Sequence, residues 1–419
     1  MTGATGTRIQ AAAPNRFQEE LMPDDVTQEL LPGGGVSYPH MAVDLDAVDH
    51  NIALMADWAA RHGAGLAPHV KTTMSASIAG RQVAAGAARL TVATVGQAEA
   101  VLSWGHRRLL IANEVVEPGA LERLRSWIDG DESADVICLV DSAEGIGQAE
   151  RVFARSPRGL PVMVDVGTPG GRTGVRDPRA AGQLGEAAAA ARGLRLVGVA
   201  GYEGVVPSRR DDATLGAVDE HCRRTGAVFA GLRDRYETPA PVLSMGGSVF
   251  PDRVTAALPA ADLVPGGLLL LRSGCYVTHD HGIYARASPV AGLKPAITIR
   301  AMVLSAPEPG LVVLGAGKRE LPHDAGMPVV LSAADLAGQP RAGVSGVVTN
   351  LFDHHAVLTG ATGLRVTDVV ELGVSHPCSA FSRWDSYLVT RGGGPAGTER
   401  TDFRRTAEGG LPAADRGGL

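Results

Sequence analysis

Only three lysines, Lys71, Lys294 and Lys318, stand among the 39 basic residues, so chemistry that needs a lysine amine has three candidates. Lys71 closes the apolar segment APHVKT, two residues after His69. Burial disfavours the ammonium form of such a lysine, and the neutral nitrogen can then condense with an aldehyde to a Schiff base. The competing role is that of a solvated lysine at a strand end. A second grouping is His376-Pro377-Cys378. In an extended segment residues i and i+2 project from the same side, and the proline places them at a strand end or edge. Imidazole and thiolate can therefore converge on one divalent ion, and this ligand chemistry suits zinc better than magnesium or manganese. Two protein ligands leave open positions, in the style of a catalytic site. A structural cysteine beside a half-buried histidine is the alternative.

Two further segments have the character of anion loops. VLSMGGSV places Gly246, Gly247 and Ser248 after an apolar run, where successive backbone N–H groups and a hydroxyl can cradle a phosphate. LRSGCY follows the next such run, and Gly274, Cys275, the Ser273 hydroxyl and the Tyr276 phenol are expected to face the same anion. Arg172, in a glycine-rich loop, can hold a carboxylate or the ring nitrogen of a cofactor, and Tyr202, in GYEG, can stack or donate. His279, His281, His354 and His355 form polar clusters with three open roles: acid or base, support to a metal ligand, or loop contacts.

These residues need elements to carry them, and the chain alternates short apolar runs with helical stretches. Eight runs fall at 66–70, 90–94, 109–113, 136–140, 161–166, 194–201, 241–245 and 268–272. Eight strand–helix units over about 250 residues have the dimensions of a (β/α)8 TIM-type barrel, whose chemistry gathers at the C-terminal ends of its strands. A doubly wound sheet competes, but no GxGxxG follows an early strand. From residue 289 helical periods give way to β-rich runs at 297–305, 311–315, 344–350, 356–360, 369–374 and 386–390. The expected order is therefore an N-terminal arm over 1–35, a barrel over 36–288, an all-β domain carrying the metal motif over 289–405, and a tail over 406–419.

With 419 residues, 45% hydrophobic and 20% charged, the composition is that of a folded multidomain protein. A net charge of −6 without clustered basic and aromatic residues excludes a nucleic-acid platform. No apolar run approaches a membrane span, and the four scattered cysteines read as thiols of a reducing compartment, so a cytoplasmic location is expected.

Together, VDLDAVDHNI (43–52), APHVKTTM (67–74), the Arg172 loop, GYEG (201–204), GGS (246–248), LRSGCYVTHDHGIY (271–284), DHHA (353–356) and ELGVSHPCSAF (371–381) resemble the D-threonine aldolase and D-serine dehydratase group. These are relatives of alanine racemase that bind pyridoxal phosphate on a barrel. TTM after the lysine and SHPC are most similar to bacterial amino acid deaminases; aldolases of the group more often carry THK and His-x-Asp. SAFSRW (379–384) departs from the TTFDKW of that branch.

The resemblance implies that Lys71 forms the internal aldimine, with His69 and Tyr202 near the cofactor and Arg172 at the pyridine nitrogen. Gly247, Ser248, Gly274, Cys275 and Tyr276 would surround the phosphate, and His376 and Cys378 would hold a divalent metal, zinc by their chemistry. An arginine at the ring nitrogen keeps it unprotonated and weakens the electron sink, which gives the metal more of the leaving-group work. The implied activity is dehydration of β-hydroxy D-amino acids such as D-serine or D-threonine to a 2-oxo acid and ammonia. Retro-aldol cleavage to glycine and an aldehyde is the alternative. A cofactor carrier without turnover would lack the β-domain and SHPC. The group implies a small amino acid as partner and assembly as a homodimer.

Overall fold

The computed structural model describes residues 37–403; the expected arm (1–35) and tail (406–419) lie outside them. Strand β1 (His40–Asp44) leads directly into helix α1 (Leu45–Arg61). The Asp44 carboxylate caps α1 by accepting the N–H groups of Asp46 and Ala47 at 2.9 and 3.3 Å. Leu45, Val48, Ile52, Met55 and Ala59 form its buried stripe, at the spacing of one helix face. Asn51 is buried on the same helix. Its amide donates to the carbonyls of Val277 and Lys294 at 3.1 and 2.7 Å and accepts the Lys294 N–H at 2.8 Å, which pins the loop after the last barrel strand.

Eight parallel strands follow: β2 (Gly65–Leu66), β3 (Leu90–Val92), β4 (Arg108–Glu114), β5 (Asp135–Val140), β6 (Leu160–Val166), β7 (Leu194–Gly201), β8 (Val242–Met245) and β9 (Leu268–Leu271). Their hydrogen-bonded order is β2-β9-β8-β7-β6-β5-β4-β3. A parallel bridge between His69 and Thr91 brings the two ends of this order together. The expected barrel is present; seven of the eight sequence runs fall on its strands, and the first, 66–70, meets β2 only at Leu66. The first is the least regular. Pro68 has no N–H to give a ladder, so β2 stops at Leu66 and the chain turns through a single 3-10 turn at Val70–Thr72. Lys71 sits on that turn.

The second sheet holds β10 (Ile297–Glu308), β11 (Leu311–Leu314), β12 (Val329–Ala334), β13 (Ser345–Leu351), β14 (Ala356–Thr362), β15 (Val369–Gly373), β16 (Ser386–Arg391) and β17 (Gly394–Arg400). It also takes in β1, which pairs antiparallel with β10 and parallel with β16. Residues 40–44, placed by the sequence in a barrel beginning at 36, therefore belong to the β-domain sheet. Three strands escaped the sequence reading: β1, β12 and β17. β12 and β17 are mostly exposed and lack a clean apolar alternation. β17 exists because Gly392 and Gly393, at φ of 58° and 77°, make the two-residue turn that folds it back on β16.

Candidate functional site

The C-terminal ends of the barrel strands open into a cavity of about 310 Å³. Lys71 borders it on the turn after β2, beside Thr72, with Cys275 and Cys378 at the side nearest the β-domain. Lys294 and Lys318 do not border it. His69 is half-buried and lines the same cavity. Burial pushes its imidazole well below the usual range, and the charges of Lys71, Arg272 and Arg172 act in the same direction. It is a neutral ring, and its Nδ1 finds no partner.

The loops after β8 and β9 form one unit. Ser273 Oγ donates to the carbonyl of Gly247 at 2.8 Å, so the two loops are stitched together by a hydroxyl expected to bind an anion. Glu203, buried behind Tyr202, accepts the N–H groups of Gly246 and Gly247 at 3.1 and 2.5 Å. The Gly247 N–H expected to cradle an anion is thus already committed to a carboxylate. Tyr276 departs from expectation in the same way. Its phenol lies in the packing under the loop and accepts from Gln82 Nε2 at 3.0 Å, away from the cavity.

What remains is still an anion site. Among the described residues, the N–H groups of Ser248, Gly274 and Cys275 have no protein acceptor. The backbone at Gly274 passes so close to the barrel that a Cβ there would lie 2.3 Å from the His69 carbonyl oxygen. Unpaired donors on two loops that border one cavity, with one loop held tight by glycine, fit a phosphate group.

Two guanidinium groups border the cavity. Arg172 is at the exposed rim, with its guanidinium 5.0 Å from the centre of the Tyr202 ring. Burial pushes the Tyr202 phenol up to about 12, and it stays protonated at neutral pH. Arg272 is buried and lines the cavity. It donates to the carbonyl and hydroxyl of Ser244 at 2.7 and 2.9 Å and to the carbonyl of Gly201 at 2.6 Å. Its charge faces Asp165 at the end of β6. The sequence had marked this arginine only as the last residue of a run; its signal was a charge directly after LLLL.

Asp165 belongs to a carboxylate cluster with Glu114 and Asp141. Burial, then the charges of Asp165 and Asp141, push Glu114 up to about 7. Neither Glu114 oxygen finds a donor, since its contact with Asp165 joins two acceptors unless a proton lies between them. The folded chain thus holds a proton that the unfolded chain releases near pH 4.5, so this group's contribution to stability falls as pH rises from there to about 7. Glu114→Gln is expected to raise the melting temperature more at pH 8 than at pH 5. Equal gains at the two pH values in calorimetry would show that Glu114 carries no such proton.

At the seam between barrel and β-domain, His376 and Cys378 converge as the i, i+2 spacing implies, and Cys275 joins them. One ligand atom of each lies within 4.8 Å of the others. The two sulfurs are 3.3 Å apart, and Thr72 Oγ1 is 3.4 Å from Cys275 Sγ. A hydrogen bond from Cys378 pulls the Cys275 thiol down to about 6 and correspondingly pushes Cys378 up. Cys275 thus turns its side chain to this cluster, while its N–H stays with the anion loop. Two sulfurs and an imidazole fit a zinc-type ion.

The remaining histidines separate. His279, at φ 47°, lies 3.0 Å through its Nδ1 from the carbonyl of Asp280, and His281 packs on Gly373. His354 pairs with Glu320 at 2.7 Å, and neither it nor His355 borders the cavity. No helix among the described residues is long and apolar enough to cross a membrane.

Known proteins share this architecture. The family model of the alanine racemase N-terminal domain matches residues 43–269, and that of a serine dehydratase domain matches residues 296–390. D-threonine aldolase of Arthrobacter sp. is 27% identical over 367 residues, which cover 86% of this chain and 91% of that protein. D-threo-3-hydroxyaspartate dehydratase of Delftia sp. (strain HT23) is 28% identical over 383 residues, covering 86% and 96%. The crystal structure of D-threonine aldolase from Filomicrobium marinum superposes with a TM-score of 0.73 at 28% identity, over 87% of this chain and 93% of that one. The first family model alone spans more than half of the sequence, and the chain belongs to the alanine racemase N-terminal domain family, fold-type III enzymes that use pyridoxal phosphate.

Proposed function

We propose that this chain is a pyridoxal-phosphate- and metal-dependent lyase that eliminates water from β-hydroxy D-amino acids, the released enamine then being hydrolysed by water to a 2-oxo acid and ammonia. The coarser part, a lyase acting on β-hydroxy D-amino acids, is supported by relatives that are D-threonine aldolase, 3-hydroxy-D-aspartate aldolase and D-threo-3-hydroxyaspartate dehydratase. The observation that carries the dehydratase reading is one cavity bordered by an amine, an anion site and a sulfur pair beside an imidazole. Elimination needs a base at Cα and a Lewis acid at the β-oxygen, and this cavity has a place for each.

Pyridoxal phosphate, when bound, supplies an aldehyde that joins the substrate amine and a conjugated ring that draws electron density from Cα. A divalent metal supplies a positive charge for the departing hydroxide. Lys71 would hold the aldehyde of the cofactor, and its free Nζ would be the base for the Cα proton. Ser248, Gly274 and Cys275 would offer their N–H groups to the phosphate, and Glu203 and Ser273 fix the loops that present them. Gly247 and Tyr276 serve the same loops from behind. Arg172, over Tyr202, would meet the cofactor ring or the substrate carboxylate, and neutral His69 lines the same cavity. His376 and Cys378 hold the metal. The homodimer implied by resemblance is part of this reading, and light scattering on the purified protein checks it.

The test is a product assay with D-serine, D-threonine and D-threo-3-hydroxyaspartate on enzyme supplied with pyridoxal phosphate and zinc. Equal amounts of 2-oxo acid and ammonia are expected. Glycine with an aldehyde would instead assign the aldolase reaction to this cavity.

A further inference from the structure

Cys275 and Asp280 are joined to the metal motif by the fold and by nothing in their spacing. Cys275 comes from the barrel loop after β9, whereas His376 and Cys378 follow β15 of the other domain. Asp280 is fully buried in that barrel loop. Its Oδ1 accepts the N–H groups of Gly282, Tyr284 and Ala285 at 2.9, 2.9 and 3.2 Å, and this fixes the carboxylate. Its Oδ2 has no donor. Opposite it, 3.8 Å away, stands His376 Nδ1, buried and likewise unpaired. The Tyr284 ring packs on this imidazole with centroids 5.3 Å apart.

An unpaired carboxylate oxygen aimed at an unpaired ring nitrogen is the arrangement that orients a metal-bound histidine: Nδ1–H turns to the carboxylate and Nε2 to the ion. On the other side of the ring, the two sulfurs at 3.3 Å are too close to be indifferent to each other. Tetrahedral zinc with Zn–S of about 2.3 Å separates two sulfurs by about 3.8 Å, so an ion fits after they open by about half an ångström. Thr72 Oγ1, 3.4 Å from Cys275 Sγ, is placed to donate to a thiolate there.

We propose that Cys275 is a third protein ligand, so that the ion is held by two thiolates and one imidazole, with Asp280 as the positioning residue behind His376. One coordination position is then left, on the cavity side that Cys275 and Cys378 border. This deepens the function proposed above and rests on it. It selects zinc over harder ions, because two thiolates are poor partners for magnesium or manganese. It also makes the ion a cross-link between the two domains, with one ligand from the barrel and two from the β-domain.

The experiment uses the full chain with pyridoxal phosphate bound, kept reduced, stripped of metal and titrated with cobalt(II). The thiolate-to-cobalt charge-transfer band scales with the number of bound sulfurs. Wild type is expected to show a two-thiolate band, and Cys275→Ser and Cys378→Ser are each expected to show about half of it. Asp280→Asn keeps the Oδ1 acceptor and is expected to retain the full band while weakening metal affinity about 10- to 100-fold. Cys275→Ser at full wild-type intensity would overturn the third ligand, and a wild-type band of single-thiolate strength would do so without any variant. Asp280→Asn with unchanged affinity would overturn the positioning role. A wild-type chain that binds no ion at all would instead remove the metal from the proposed function itself.

Discussion

Lys71→Ala is expected to lose the long-wavelength absorbance of the bound cofactor and to lower turnover by at least about 10³-fold, since the same nitrogen both holds the aldehyde and moves the Cα proton. The size of the effect follows from the absence of a substitute. Lys318 belongs to a β-domain loop, where its N–H donates to the carbonyl of Phe352. The Lys294 backbone is held at Asn51. Neither borders the cavity. Added methylamine is expected to restore part of the turnover, because it replaces a missing amine and cannot repair a folding defect. A variant with both the absorbance and the turnover of wild type would sink the assignment of Lys71.

Gly274→Ala is expected to weaken retention of pyridoxal phosphate by about 10- to 100-fold. The new methyl group would meet the His69 carbonyl oxygen at 2.3 Å and His69 Cβ at 3.0 Å. One of the two backbones must then move. The loop after β9 is the freer of them, because His69 is bridged to Thr91 within the barrel. Moving that loop withdraws the N–H groups of Gly274 and Cys275 from the anion, and a hydrogen bond to a charged group is worth about 1.5–3 kcal/mol. Equilibrium dialysis of the cofactor reads the effect. Wild-type retention would mean that the phosphate does not depend on this loop.

The strand ends were legible because burial on both faces writes parallel strands as continuous apolar runs, and each run places its chemistry at its end. Lys71, Tyr202, Ser248 and Cys378 border one cavity as that logic requires. Glu203, Arg272 and Asp280 were not legible as site residues. Buried charges look like any others among 45 acidic and 39 basic residues, and only the fold shows which of them face an unpaired partner. The wrong directions of the Tyr276 phenol and the Gly247 N–H share one cause. Sequence identifies a donor and its loop, but not whether a neighbour such as Gln82 or Glu203 has already claimed it.

The membership of β1 in the second sheet has a consequence for synthesis on the ribosome. Thr390 Oγ1 of β16 donates to the Val43 carbonyl of β1 across 347 residues of sequence. At about 5–20 residues per second, β1 waits on the order of 20–70 s for that neighbour to be made. Throughout this interval the barrel strands can pair in order as they emerge, while the segment just before the barrel keeps an open edge even after β10 has been made. Chaperone dependence in the cell should therefore track the completion of translation past Arg391, not the length of the barrel already made.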